Sequence, residues 1–170
     1  MRVGIAATLV VAVLLVAGPA GAADVSRQGW AHAHKAPRKN NIAGTEQRFG
    51  REGDARKVKR VIRVDMSDAM RYFPSEIRVK RGDTVRFALR NSGQMPHEMV
   101  LGTMDELKKH AEQMRMAHSG MAHDEAFIAH VEPGGTGRIV WQFSRAGEFY
   151  YGCLVPGHFE AGMIGTIIVR

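Results

Sequence analysis

Short segments in which apolar and polar residues alternate recur along the chain from residue 61 onward. TVRFALR, at 84–90, places Val85, Phe87 and Leu89 on one side and polar residues on the other. Successive side chains of a β-strand point to opposite faces of a sheet, so this alternation predicts strands with one buried face. Segments of the same kind, bounded by glycine or proline turns, occupy residues 61–66, 75–80, 97–102, 126–133, 137–143, 147–153 and 163–170. The pattern predicts an all-β domain, an antiparallel sandwich of short strands.

One segment has helical rather than strand spacing. TMDELKKHAEQMRMAHSGMAH, at 103–123, contains a stripe of residues three and four positions apart, namely Met104, Leu107, Ala111, Met114 and His118. Thr103 and Glu106 form a capping box at its start, and Gly120 is a suitable stop. The sequence therefore predicts one helical insert around residues 103–120, between two strands of the sandwich.

The N-terminal region has the layout of a secretory signal peptide. Arg2 precedes an apolar run at 3–17 that is interrupted only by Thr8, and Gly18, Pro19 and further small residues follow it. A transmembrane anchor is the alternative, but the run is shorter than the ~20 residues that span a bilayer. We therefore expect residues 1–23 to be removed as a signal peptide. The mature protein is then exported, in a bacterium to the periplasm, and has no membrane span.

Charge divides the remaining chain into two parts. Residues 24–60 show no apolar period and contain ten Lys or Arg against four Asp or Glu, which predicts a disordered basic tail or linker. Residues 61–170 contain thirteen residues of each sign and form the predicted domain. Because the excess positive charge lies in the tail, nucleic-acid binding by the domain has no electrostatic support. The tail could contact anionic lipid or acidic proteins, but a solvated linker is the simpler interpretation.

The single cysteine is the centre of the candidate chemistry. With no second cysteine, Cys153 can form an intermolecular disulfide, stay buried and inert, or bind a metal as a thiolate. In CLVPGHFEAGM, His158 follows it by five positions and Met163 by five more. A thiolate, an imidazole and a thioether together suit copper, which commonly takes a second histidine. His97 is the best candidate because its loop also joins two strands, whereas His110, His118 and His123 belong to the insert and His130 lies mid-strand.

These residues together resemble a known family. RNSGQMPHEMVLG and the C-terminal stretch from PGGTGRIVWQF to CLVPGHFEAGMIGTIIV are similar to the cupredoxins, the small blue or green copper proteins. The resemblance covers about residues 61–170 and implies a Greek-key β-sandwich around one type 1 copper. It also implies the ligand set, which is His97, Cys153, His158 and, axially, Met163.

The details of the resemblance point to one side of the family. The spacing from cysteine to histidine is similar to that of azurin and auracyanin. The signal peptide, the histidines of the tail and the insert rich in Met and His resemble CopI-type periplasmic copper-tolerance cupredoxins. Many azurin-like members have Asn directly after the first histidine ligand, where it ties the ligand loops together. This chain has Glu98 there, so the surroundings of the ligands should differ.

Two functions remain open at this stage. The first is one-electron transfer, in which a redox partner docks transiently on an apolar patch near the exposed edge of His158. The second is copper tolerance, in which a monomeric protein buffers copper or exchanges it with a donor or acceptor protein. Additional Cu(I) sites could then use His118, Met121 and His123 of the insert, or His32 and His34 of the tail, although the insert's methionines could simply pack the helix. An enzyme is not expected, because multicopper and binuclear copper oxidases need further histidine pairs or a second cysteine.

Overall fold

The computed structural model describes residues 45–116 and 125–170, which form two five-stranded sheets. One sheet has the order β1-β8-β5-β2-β3 and the other β4-β10-β9-β6-β7. The elements are β1 (Arg51–Glu52), β2 (Val58–Ser67), β3 (Arg71–Phe73), β4 (Glu76–Val79), β5 (Thr84–Asn91), β6 (His97–Gly102), α1 (Met104–Met116), β7 (Ile128–Val131), β8 (Thr136–Gln142), β9 (Gly147–Gly152) and β10 (Ile164–Val169). Every alternating segment of the sequence contains one of these strands, so the predicted sandwich is confirmed.

The core lies between the two sheets and is rich in aromatic rings. Trp141 and Phe143 come from β8 and the residue after it, while Phe149 and Tyr151 come from β9, and all four are buried. They belong to one cluster with the inward-facing aliphatic residues of both sheets. The alternation along each strand therefore places its apolar side toward this common core.

Strand direction differs from the prediction at two places. β2 pairs with β5 in parallel, and β4 pairs with β10 in parallel, whereas the other strand pairs are antiparallel. The cause is a crossover, because the chain leaves the first sheet after β3, adds β4 to the second sheet and returns as β5 beside β2. A purely antiparallel sandwich is therefore wrong. Alternation of side chains carries no information about the direction of the neighbouring strand.

The prediction that residues 24–60 are a disordered tail is wrong for residues 45–60. Phe49 is 3% exposed, and its ring stacks on that of Trp141 at a centroid distance of 5.2 Å. The Nε1–H of Trp141 also donates to the carbonyl of Phe49 at 2.9 Å. β1 then pairs with β8, and β2 begins at Val58 rather than at residue 61. One inserted aromatic ring holds this segment, and a single apolar residue produces no period. The predicted signal peptide (1–23) and the tail at 24–44 lie outside the described residues.

The helical insert covers the outer face of the second sheet. The predicted capping box is present, with the Glu106 amide 3.3 Å from Thr103 Oγ1 and the Thr103 amide 2.9 Å from Glu106 Oε2. Leu107 and Ala111 are buried in a small cluster with Val100 of β6. Residues 117–124, including the proposed stop at Gly120, lie outside the described part. Within the described ranges, no helix combines the length and apolar character that crossing a bilayer requires.

Candidate metal centre

Three predicted ligands come together at one end of the sandwich. His97 is the first residue of β6, Cys153 follows β9, and His158 lies in the loop before β10. Cys153 Sγ is 4.0 Å from His97 Nδ1 and 3.4 Å from His158 Nδ1. The three donor atoms all lie within 4.8 Å of one another. Cys153 and His97 are 0% and 1% exposed, and His158 is 9% exposed, so His158 is the most accessible of the three.

The loop from Cys153 to Met163 folds back on itself. The Cys153 amide donates to the carbonyl of Met163 at 3.1 Å, and the Met163 amide donates to the carbonyl of His158 at 3.0 Å. Gly157 has a φ of 88°, a left-handed conformation that glycine adopts without strain. Met163 is fully buried beside the cysteine. The five-residue spacings in the sequence therefore match a loop that returns its methionine to its cysteine.

Asp68 orients the first histidine from behind. His97 Nε2 lies 3.1 Å from Asp68 Oδ1, so the Nε2–H donates to the carboxylate and the Nδ1 lone pair faces Cys153. The amides of Gln94 and Met95 also donate to Asp68, at 2.7 and 3.3 Å. The hydrogen bond from the Gln94 amide is the main cause that lowers the pKa of Asp68 below its ordinary value, and the hydrogen bond with His97 lowers it further. A carboxylate in this position fixes the histidine tautomer and makes its other nitrogen a stronger donor.

Glu98 links the two ligand-bearing parts of the chain. Its Oε1 accepts the Leu154 amide at 2.9 Å, next to Cys153, and its Oε2 lies 2.7 Å from His130 Nδ1 on β7. The hydroxyl of Tyr72 donates to the Glu98 carbonyl at 2.5 Å. A carboxylate thus joins the ligand loops where many azurin-like proteins have Asn. The sequence showed that this residue differs from the Asn of azurin-like proteins, but it did not show which groups Glu98 contacts.

The insert also supports the cysteine loop. Gly152 directly precedes Cys153, and a Cβ there would lie 3.0 Å from the Phe159 ring and 3.5 Å from Leu107 of α1. Leu154 and Phe159 pack in the same cluster as Leu107. The neighbours of Cys153 and His158 therefore rest against the helix, and glycine at 152 allows this close approach.

Protonation in the metal-free protein follows from burial. Burial raises the pKa of the Cys153 thiol to about 12. Burial, and then the nearby His97, lowers the pKa of His158. At neutral pH the thiol is therefore protonated and the His158 ring is neutral. A metal ion finds an available imidazole but must displace the thiol proton in order to bind.

The donor set fits copper. One sulfur and two imidazole nitrogens, with a buried methionine whose backbone is hydrogen-bonded to that of the cysteine, match the two-histidine, one-cysteine arrangement with a weak axial methionine that proteins use for copper. Mg²⁺ and Ca²⁺ prefer oxygen ligands, which this group does not supply. In the described ranges, no other group of three or more His, Cys, Asp or Glu side chains is close enough to hold a metal.

The remaining predicted residues are of two kinds. Met95 is 37% exposed and Pro96 is also exposed, as expected for a patch at the metal end of the domain. The additional copper ligands that the sequence suggested lie outside the described residues. These are His118, Met121 and His123 of the insert and His32 and His34 of the tail.

Comparison with known proteins identifies relatives over most of the chain. A family model described as copper binding proteins of the plastocyanin/azurin family matches residues 58–170. A protein from Rubrivivax gelatinosus named copper-resistant cuproprotein CopI is 48% identical over 145 residues, covering 85% of this chain and 82% of its own. A protein of the same name from Pseudomonas aeruginosa is 33% identical over 152 residues, covering 73% of this chain and 83% of its own.

Solved structures agree on the fold. Dithionite-reduced auracyanin from Roseiflexus castenholzii matches with a TM-score of 0.58 and 18% identity, covering 66% of this chain and 98% of auracyanin. An azurin from Methylomonas sp. strain J matches with a TM-score of 0.53 and 21% identity, covering 66% of this chain and 99% of the azurin. At these identities the likeness concerns the fold alone, and it agrees with the predicted sandwich.

Proposed function

Because the chain belongs to the plastocyanin/azurin family of copper-binding proteins, we propose that it is an exported cupredoxin of copper tolerance. His97, Cys153 and His158 would hold one copper ion, with Met163 as the fourth ligand. The observation that carries this proposal is the convergence of three nitrogen and sulfur donors within 4.8 Å. The names of the two CopI relatives support the role in copper tolerance.

Bound copper would supply a centre that accepts and donates one electron. The chain supplies fixed donors, because His97 is held by Asp68 and the residue after Cys153 is held by Glu98. It also excludes water, since the cysteine and the first histidine are almost fully buried. If copper is to change its oxidation state without rearrangement of the loop, the ligand atoms must keep similar positions in both states.

The ligand assignment is tested by replacing the sulfur. Cys153→Ser should remove the visible charge-transfer band between sulfur and copper when the purified protein is titrated with Cu(II). His110→Ala, a histidine of α1 outside the donor group, is the control and should keep the band. A band that persists in Cys153→Ser contradicts the assignment. The copper stoichiometry of the same titration, repeated with Cu(I), tests whether the chain binds more than one ion.

The role in tolerance is tested in the source organism. Deletion of the gene should reduce growth in medium that contains copper. The full-length gene should restore this growth, and its protein should be found in the periplasmic fraction. A Cys153→Ser gene should fail to restore growth. Full rescue by Cys153→Ser would assign tolerance to copper buffering elsewhere in the chain, for which the Met and His residues of the insert are the candidates.

A second candidate function is electron transfer to a dedicated protein. The observation that favours it is the exposure of Met95 and Pro96, which directly precede His97 in the chain. Such redox encounters are transient and bury under ~1,200 Å². Rapid reduction of the copper-loaded protein by a periplasmic cytochrome, together with unchanged copper tolerance after gene deletion, would favour this function over the first.

A further inference from the structure

Four arginines lie close together on the outer face of the first sheet. We call Arg63 on β2, Arg86 and Arg90 on β5, and Arg138 on β8 the arginine face. Arg63 and Arg138 are cross-strand neighbours of Ala88, one on each side, so the three residues form one row across the sheet. Arg86 and Arg90 lie two positions before and after Ala88 on the same strand and therefore point to the same side.

Among the described residues, these arginines have no carboxylate partner. In the described part of the chain, no ion pair within 4.0 Å joins any of the four to an Asp or Glu. Asp65 is the cross-strand neighbour of Arg90, but its carboxylate accepts the Ser92 hydroxyl at 2.6 Å. The Nε–H of Arg86 is buried without an acceptor. Arg63, Arg90 and Arg138 are exposed, so their guanidinium groups are available for carboxylates from outside, which they bind through paired N–H donors.

Exposed apolar side chains lie on the same face. Val61 is 49% exposed and is the cross-strand neighbour of Arg86, while Phe73 is 79% exposed and opposes Asp65. The described residues include four exposed large hydrophobic side chains, and these are two of them. Arginine together with an aromatic residue is the composition that dominates protein–protein contact energies.

Within the described residues, the outer face of the second sheet, unlike the arginine face, is covered by a helix. α1 packs on it through Leu107 and Ala111, whereas no described helix covers the arginine face. The chain's own segment at 24–44 is a poor occupant, since it carries four Lys or Arg and one Asp. Like charges repel it from the arginines. The complementary occupant is another molecule with negative charge.

We propose that the arginine face is a docking surface for a partner protein whose own surface presents clustered Asp and Glu side chains. A weak, salt-sensitive encounter is expected, because exposed charges steer association more than they strengthen it. Arg90 is followed by Asn91, whose side chain donates to the carbonyl of Met95 at 2.7 Å. A partner on the arginine face therefore borders the metal end of the domain.

The test compares two double charge reversals in the full mature protein. Arg63→Glu with Arg138→Glu changes the arginine face. Lys80→Glu with Arg170→Glu makes the same change in net charge in a cleft lined by Arg60, Arg78, Val79, Lys80, Asp83, Ile168 and Arg170. The probe is a synthetic peptide of glutamates and phenylalanines, titrated into ¹⁵N-labelled protein and followed by amide shifts.

Backbone amides of β2, β5 and β8 should shift, and the Arg63/Arg138 variant should bind the peptide about tenfold more weakly, as loss of two exposed charge pairs implies. The Lys80/Arg170 variant should stay within about threefold of the parent. Equal weakening by both variants, or shifts confined to the Lys80 cleft, would overturn the proposal. The variant Arg63→Gln with Arg138→Gln removes the two charges without reversing them and should weaken peptide binding less. Unfolding curves of each variant show whether the fold is retained.

The partner's class is tested in cells by a photoreactive residue at position 88, in the middle of the arginine face. The proposal expects a cross-link to another protein at an acidic segment of that protein, lost in the Arg63/Arg138 variant and kept in the Lys80/Arg170 variant. Cross-linking only to a second copy of this chain, or only to lipid with binding to phosphatidylglycerol vesicles, overturns it.

Discussion

Replacing Glu98 by alanine would remove a side chain that joins the strand of His97 to the residue after Cys153 by a hydrogen bond. Its Oε1 accepts the Leu154 amide at 2.9 Å, and both residues are buried. Alanine leaves that N–H inside the protein without an acceptor, which costs about 1–3 kcal/mol. The lost contact with the half-exposed His130 adds less than about 1 kcal/mol. We therefore expect a loss of roughly 2–3 kcal/mol in the free energy of unfolding.

Glu98→Gln is the matched control. The amide oxygen of glutamine can still accept from Leu154, and its NH₂ group can donate to His130 Nδ1. The same shape and the same two partners should keep this variant within about 1 kcal/mol of the parent. Urea unfolding of the metal-free proteins measures both changes, and Glu98→Ala should lower the midpoint by on the order of 1 M.

Two results would refute this reasoning. If Glu98→Ala unfolds at the parent's urea concentration, the hydrogen bond to Leu154 does not hold the loop. If Glu98→Gln is as unstable as Glu98→Ala, the negative charge matters rather than the acceptor. The copper-loaded proteins provide an independent readout, since a loosened loop should broaden the visible band of Glu98→Ala and leave that of Glu98→Gln sharp.

Three further changes test other parts of the structure. Asp68→Ala removes the acceptor of His97 Nε2–H and should weaken copper binding about 10–100-fold in a competition titration, while Asp68→Asn should be milder because it still offers an oxygen. Met163→Gln should keep copper but change colour and reduction potential; if neither changes in spectra and voltammetry, Met163 is not an axial ligand. Phe49→Ala should destabilise the fold by about 3–5 kcal/mol in urea unfolding, whereas the exposed Val61→Ala should stay within about 0.5 kcal/mol, and a neutral Phe49→Ala would mean that residues 45–60 do not support the core.

The elements that the sequence predicted correctly are those with a repeating local pattern. β5 alternates through Val85, Phe87 and Leu89, and all three are buried. The segment around Phe49 has no such repeat, because its stability comes from one ring placed against Trp141, 92 residues away in sequence. The three-residue β3 was likewise too short to show alternation. Contacts that depend on a distant partner leave no periodic trace in the chain.

The same distinction applies to the metal centre. Cys153 and His158 share one short loop with Met163, so their spacing was visible in the sequence. Asp68 lies 29 residues before His97, and Glu98 lies 56 residues before Leu154. Neither pairing could be recognised from local spacing, although the presence of Glu98 beside the histidine was a usable signal. The three donors that converge could therefore be predicted from the sequence, whereas the groups that orient them required the fold.

These orienting groups bear on the choice between retaining copper and delivering it. Releasing the ion from a buried site requires the loop from Cys153 to Met163 to open. Glu98 opposes this motion through Leu154, and α1 opposes it through the packing of Leu154 and Phe159 against Leu107. Electron transfer needs no such opening, and His158, at 9% exposed, is the most accessible of the three donors. If copper binds as proposed, these contacts predict slow release of the ion from this site, which competition with a copper chelator would measure.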